Sequence, residues 1–505
     1  MTDLLPRPPR LSVSRVAAAL TRQRLQKLEH LLILAPENLS PAQWRKLPSG
    51  TQLKDLQKRI GSKSAIPAAQ TRLNNSKRTG ISLGLLPVGV SPFKRLDRIR
   101  LLLGHAMKSN PGTLGALITG FDDSDATASA EAVTVAALAA VSEMPSHKSK
   151  PSPAPRLRAL QLFGDGKPQL RRLRAENEGN HLARWLTTLP PNDLDSASYK
   201  KRIAALAKQH GWEMSFLDRK RLARLKAGAF LAVAQGGDSN AGIVHLRYRP
   251  PDASKKRPDV ALVGKGICFD TGGVNLKPAQ HMQNMHDDMQ GSAVALGTLT
   301  ALSRVNSKLN VDCWLAITEN LIGPGAYKPM DVVTASNGTT IEIIHTDAEG
   351  RMALADTLAL AAEKKPAVII DYATLTGACV GAVTERYSGA FSNRQSLNPY
   401  LIKAGDQSGE RVWPFPMDDD FDTALNSSIA DIKQCTLDGI GDHILAARFL
   451  SRFAGSGAWV HIDLSSGRHK GGLAHIPTDV TGFGVRFTMN LLHEQELLKH
   501  SLANR

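Results

Sequence analysis

Thr340-Ile341-Glu342-Ile343-Ile344-His345-Thr346-Asp347-Ala348-Glu349-Gly350-Arg351 runs directly into Met352-Ala353-Leu354-Ala355-Asp356-Thr357-Leu358-Ala359-Leu360. The first five residues form an apolar, strand-like run, and the last nine carry apolar residues at helical spacing. Between them lies a corner holding two carboxylates, Asp347 and Glu349. Open α/β sheets place their chemistry at such strand-to-helix corners. Taken alone, the pair reads first as a solvated turn or as a helix N-terminal charge matched to the macrodipole, and it becomes persuasive only with its neighbours. The twelve-residue ligand ladder of a calcium loop is absent. Asp270 and Asp288 stand at similar junctions, and the four carboxylates together are hard oxygen ligands for divalent metals. The pattern predicts a metal-dependent hydrolase. No His-Glu-x-x-His helix offers another metal site.

Upstream, Val263-Gly264-Lys265-Gly266-Ile267-Cys268-Phe269-Asp270-Thr271-Gly272-Gly273 follows a buried-strand reading of Asp259-Val260-Ala261-Leu262. The glycines do not complete a dinucleotide fingerprint, and no Walker lysine pattern is present. Lys265 is expected at the strand's end, flanked by residues without bulk, where its amine can approach a metal once deprotonated. Burial and nearby cations lower a lysine pKa in that direction. The competing reading is a lysine that snorkels out of a turn.

Taken as a set, these motifs resemble one family. They are Val263-Gly264-Lys265-Gly266, Phe269-Asp270-Thr271-Gly272-Gly273, Lys277-Pro278, Asp288-Met289, Thr346-Asp347-Ala348-Glu349-Gly350-Arg351 and Thr374-Leu375-Thr376-Gly377-Ala378. In content and spacing they resemble the leucyl (cytosol) aminopeptidases, peptide hydrolases with a dinuclear metal centre. Weaker similarity runs from about Glu178 to near residue 490 and takes in Gly228–Gly236 and Ala430-Asp431-Ile432-Lys433.

The resemblance implies one ion held by Lys265, Asp270, Asp288 and Glu349, and a second held by Asp270, Asp347 and Glu349. The ions would be Zn2+ or Mn2+ (cobalt is a further candidate), since mixed oxygen and nitrogen sites discriminate weakly among them. It further implies Lys277 as the ammonium that stabilises the oxyanion, and Arg351 as the grip for a bicarbonate acting as general base. Met285, Thr374, Leu375 and Gly377 match positions at the substrate side-chain pocket, which predicts Leu- or Met-like residues at the peptide amino terminus. Peptide substrates, a homohexamer and a cytoplasmic location come from the same source. Three positions depart from the family pattern: His345 replaces Asn, Asp287 replaces Gly, and Thr271 replaces Ser. His345 is expected to support the site from behind, and Asp287 to point away from Asp288.

With 505 residues the chain is long enough for two or more domains. Cys268, Cys313, Cys379 and Cys435 lack a framework spacing and are expected to be reduced and buried. No apolar run reaches a bilayer's thickness, and no secretory signal is recognisable. Residues 1–150 hold 22 Lys and Arg against 10 Asp and Glu, twelve of the chain's seventeen net positive charges. Residues 1–28 read as a basic extension. In a second reading they are an organellar transit segment, opposed by Asp3 and the prolines at 6, 8 and 9. That second reading would place the protein in an organelle such as the mitochondrion.

Residues 29–156 are expected to be a smaller α/β domain with its linker, with strands at 30–36 and 99–104 and helices at 52–60 and 130–144. Residues 157–505 would be the catalytic domain. In it, helices at 180–189, 198–210, 286–304 and 351–364 alternate with strands at 259–263, 309–318 and 367–373. That alternation predicts an α/β fold with a mostly parallel sheet covered by helices on both faces. A pI near 9.8 also suits a second, nucleic-acid-binding role for the basic amino-terminal domain, although no recognition helix or stacking motif accompanies the charge.

Overall fold

The run that begins at Val260 does not stop before Lys265. It continues as one strand to Asp270, buried at every position but Phe269. Lys265 therefore lies inside a strand, which corrects both its expected place at a strand end and the snorkelling alternative. The computed structural model of the chain describes residues 3–61, 65–150, 153–237, 240–251 and 257–502. Residues 1 and 2 of the basic extension and residues 151 and 152 of the linker lie outside it.

Strands are numbered along the chain. A six-stranded sheet contains β1 (Ser12–Val16), β2 (His30–Pro36), β3 (Ala69–Arg72), β4 (Gly80–Leu86), β5 (Thr113–Ile118) and β6 (Ala159–Gly164), in the order β1-β6-β5-β2-β4-β3. All its pairings are parallel except β3 with β4. An eight-stranded sheet contains β7 (Glu213–Asp218), β8 (Gly242–Tyr248), β9 (Val260–Asp270), β10 (Val311–Asn320), β13 (Val368–Ala373), β14 (Ser388–Ser392), β15 (Val412–Pro414) and β17 (Ala458–Asp463). Its order is β15-β14-β17-β13-β9-β10-β8-β7, and the central run β17-β13-β9-β10 is parallel. Three short strands, β11 (Val332–Thr334), β12 (Thr340–Glu342) and β16 (Ile432–Lys433), form a separate sheet.

Alternate residues of β9 serve opposite faces, as a pleated strand requires. Val260 and Leu262 join an apolar cluster with Leu182 and Leu186 of helix Leu170–Thr188 and Leu296 and Leu299 of helix Gln290–Arg304. Ala261 and Val263 face the other cluster, with Met352, Leu354 and Leu358 of helix Glu349–Ala362 and Phe230 of helix Gly228–Ala234. Each large aliphatic side chain buried this way contributes roughly 1.5–3 kcal/mol. The expected α/β architecture, a mostly parallel centre covered on both faces, is what the chain forms.

Several local expectations change. The segment 99–104 is helical, within Pro92–Met107, and not a strand. Ser91 caps that helix and Pro92 opens it, while Leu96, Ile99, Leu103 and Ala106 recur at helical spacing on its buried side. A short apolar window cannot separate strand from helix, and the cap decides it. Thr340–Ile344 is a strand for only three residues and belongs to the small sheet, so the carboxylate corner does not follow a central strand. The division placed at residue 156 falls just before β6, which pairs with both β1 and β5. All four cysteines are buried and free. Among the described residues, no helix is long and apolar enough to cross a membrane.

Helices Leu170–Thr188 and Gln290–Arg304 touch at Gly179 and Gly297, each of whose absent Cβ would run into the other's backbone carbonyl. Backbone atoms cannot give way, so Gly297→Ala should cost about 2 kcal/mol or more of unfolding free energy. Gly104, in helix Pro92–Met107, has open space around it, and Gly104→Ala should instead stabilise by about 0.5–1 kcal/mol. Urea unfolding midpoints of the two variants would check this; a Gly297→Ala protein as stable as the parent would contradict the close helix contact.

Candidate metal centre

β9 and β10 run side by side until a register shift between Thr318 and Asn320 sets Asn320 opposite Asp270. Such a bulge re-aims a side chain at a strand end. Here it turns Asn320 so that Nδ2 donates to Asp270 Oδ1 at 2.8 Å, while the backbone N–H of Gly272 donates to the same oxygen at 2.8 Å. Asp270 Oδ2 is left facing Lys277 Nζ at 2.8 Å. Lys277 also pairs with Asp347. The turn carrying Asp347 is fixed by Thr346, whose hydroxyl donates to the Gly272 carbonyl at 2.6 Å and accepts from Asn275 N–H at 2.8 Å. Tyr327 OH donates to the Thr346 carbonyl at 2.8 Å.

Lys265 reaches across from mid-strand. Its Nζ lies 2.7 Å from Asp288 Oδ1, 2.9 Å from Glu349 Oε1 and 3.0 Å from the Thr374 carbonyl oxygen. Glu349 opens helix Glu349–Ala362, and Gly350 lets the first turn pass over the lysine. A Cβ at Gly350 would stand 2.6 Å from Lys265 Cε. Thr374 Oγ1 donates to Asp288 Oδ1 at 2.7 Å. The helices and strands thus bring Lys265, Asp270, Lys277, Asp288, Asp347 and Glu349 into one cluster.

The charges in this cluster do not balance. Four carboxylates face two ammonium groups, an excess of two negative charges in a largely buried place. Burial, and then the neighbouring carboxylates, push the carboxyls of Asp288, Asp347 and Glu349 above the usual range. Burial alone would lower the lysines; the acids outweigh it and hold both Lys265 and Lys277 protonated beyond the ordinary value. Asp288 Oδ2 and Glu349 Oε2 are buried without a hydrogen-bond partner, and buried oxygens of that kind call for one. Asp270, Asp347 and Glu349 can each offer an oxygen with all three inside 4.8 Å of one another. Surplus negative charge, orphaned carboxylate oxygens and mutual proximity fit divalent cations.

The other expected residues fall as follows. Arg351 is buried, and its Nη2 donates to both carboxylate oxygens of Asp442 at 2.8 Å while Nη1 donates to the Gln434 carbonyl at 3.2 Å. The bicarbonate expected there meets a guanidinium already paired within the chain. His345 sits half-buried behind Asp347, with Nδ1 accepting that residue's N–H at 3.3 Å. Burial, then Lys277, lower its pKa. Asp287 turns to Arg468, 2.9 Å away, and not to the cluster. Of the pocket candidates, Thr374 braces Asp288 and Lys265. Leu375 donates its N–H to Asp463 Oδ1 at 3.1 Å and Gly377 begins a short exposed helix; Met285 lies in the turn before Asp288. Sequence reasoning missed Asn275, Asn320, Thr346, Tyr327, Gln434 and Asp442. Only Thr346 stood inside a quoted motif.

The chain is similar to known proteins in sequence and in fold. Residues 181–489 match the cytosol aminopeptidase family, catalytic domain. A probable cytosol aminopeptidase of Parasynechococcus marenigrum is 39% identical over 432 residues, covering 84% of this chain and 88% of that one. A second, from a Synechococcus strain, is 40% identical over 395 residues, covering 76% and 79%. Among solved structures, a mutant of tomato leucine aminopeptidase superposes with a TM-score of 0.84 at 26% identity, over 97% of this chain and 99% of that one. Motifs, fold and match agree, and the chain belongs to the cytosol (leucyl) aminopeptidase family of metal-dependent peptide hydrolases.

Proposed function

We propose that this aminopeptidase removes single amino-terminal residues from peptides with two divalent ions, Zn2+ or Mn2+, set between its acidic side chains. Lys265, in its neutral form once a nearby cation lowers its pKa, would hold one ion with Asp270, Asp288 and Glu349, and Asp270, Asp347 and Glu349 would hold the other, so Asp270 and Glu349 would serve both. The observation that carries this reading is the mutual proximity of the Asp270, Asp347 and Glu349 oxygens beside the Lys265–Asp288–Glu349 group. When bound, a pair of such ions supplies Lewis acidity and lowers the pKa of water towards neutrality. The protein's own work is to hold and to donate. Asn320 and Thr374 fix the orientation of Asp270 and Asp288. Lys277, partly exposed, offers its ammonium to the oxyanion that develops on the scissile carbonyl. Bicarbonate is left out of the proposal because Arg351 is paired with Asp442.

Met285, Thr374, Leu375 and Gly377 would line the substrate side-chain pocket, which would suit Leu- or Met-like residues. A homohexamer and a cytoplasmic location complete the reading, supported by kinship with the relatives named above. Light scattering at micromolar concentration should return about six chains per particle, and a monomer would contradict the assembly.

Two further measurements test the chemistry. Glu349→Ala removes a carboxylate expected to serve both ions, so bound metal and turnover should fall together to background. Lys277→Ala should keep its metal and lose kcat by about 100-fold or more with a smaller change in KM. Elemental analysis with steady-state kinetics would read both, and Glu349→Ala with full metal and near-normal turnover would refute the assignment. On a panel of amino-acid arylamides, Leu and Met should lead and acidic residues trail; a preference for Asp or Glu would remove the pocket.

A further inference from the structure

Arg351 is 2% exposed, and the carboxylate it holds, Asp442, is 23% exposed. Asp442 is the first residue of helix Asp442–Ser451, and it follows Gly439 and Gly441, both with left-handed φ of 66° and 62°. Those two glycines bend the chain so that the carboxylate returns to the guanidinium. Asp442 sits 91 positions beyond Arg351, so the pair is a product of the fold. Of the charged and titratable groups around the carboxylate, Arg351 touches it; His345, His443 and the Cys435 thiol lie close enough to feel its charge.

We infer that Asp442 is the resident anion of this site, occupying Arg351 so that the enzyme works without bicarbonate. The inference rests on the aminopeptidase reading above. An external anion must displace a like-charged group that is tethered at high effective concentration beside the guanidinium. Arg351 Nε carries no hydrogen bond, but an anion gathered there would stand against the Asp442 carboxylate. Asp442 acts through Arg351 and is a positioning residue. Its task is to keep the guanidinium oriented and neutralised beside the acidic cluster without drawing on dissolved carbonate.

The test compares the metal-loaded wild type with metal-loaded Asp442→Gly in carbonate-free buffer, before and after adding sodium bicarbonate. Calorimetry measures binding of the ion, kinetics measure turnover, and elemental analysis confirms retained metal. The wild type should bind no bicarbonate and change kcat less than threefold on its addition. Asp442→Gly should bind the ion, lose about tenfold in kcat without it, and recover most of that loss with it. A wild type that binds bicarbonate, or gains threefold or more, overturns the inference. So does an Asp442→Gly enzyme that turns over like the wild type without the ion, or one that is crippled and neither binds it nor recovers. If the glycine variant fails to fold, the wild-type titration alone decides. A wild type inactive on every peptide would sink the proposed function, while the calorimetry would still judge Asp442.

Discussion

Four carboxylates can share one buried corner only if positive charge shares it with them. That requirement organises the larger unit. Lys265 sits in the middle of a central strand, where a lysine ordinarily has no place, because Asp288 and Glu349 meet its ammonium there. Lys277 does the same for Asp270 and Asp347. The lysines cover half of the negative charge, and the uncompensated remainder is of the kind that fits cations. Stability and function thus compete over the same atoms. A sheet that neutralised its acids completely would be easier to fold and would have nothing with which to bind metal.

The supporting structure follows from holding those acids at fixed separations. Neutral donors, among them Asn320, Thr374, Thr346 and the Gly272 N–H, take up carboxylate oxygens or brace the turns that carry them. Each removes a degree of freedom without adding charge. The parallel centre of the sheet brings several strand ends to one edge, and helix Glu349–Ala362 begins over that edge with Glu349 in its first turn, where the helix dipole favours an anion.

Much of this was legible in the chain, and the reason differs by part. The residues of the acidic cluster lie in short motifs whose spacing survives translation into structure, so Asp347, Glu349, Lys265 and Asp270 could be named before any fold was known. The α/β alternation was legible because buried parallel strands and amphipathic helices have distinct periodicities. In the sequence Gly264 and Gly266 read as punctuation, which puts Lys265 at a strand end. In the fold, Gly264 is bare because the backbone at Ser292 passes over it, and the strand continues. Residues 99–104 in isolation read as a strand, and the signals that make them helical, Ser91 and Pro92, lie upstream of that window. Asn320 and Asp442 were beyond reach for a different reason. Each acts on a partner 50 or 91 positions away through a bulge or a loop bend, and no local pattern encodes such a meeting.

β1 has a bearing on the fate of the molecule. Its five residues come from the basic extension, and they pair with β6 from Ser12 opposite Ala159 to Val16 opposite Phe163 at the outer margin of the six-stranded sheet. Proteolytic trimming at residue 28 would take this strand away and leave the flank of β6 as a row of unsatisfied amides and carbonyls. An open flank of that kind recruits strands from other copies. A shortened product would therefore differ from the whole chain less in its catalysis than in its colloidal behaviour.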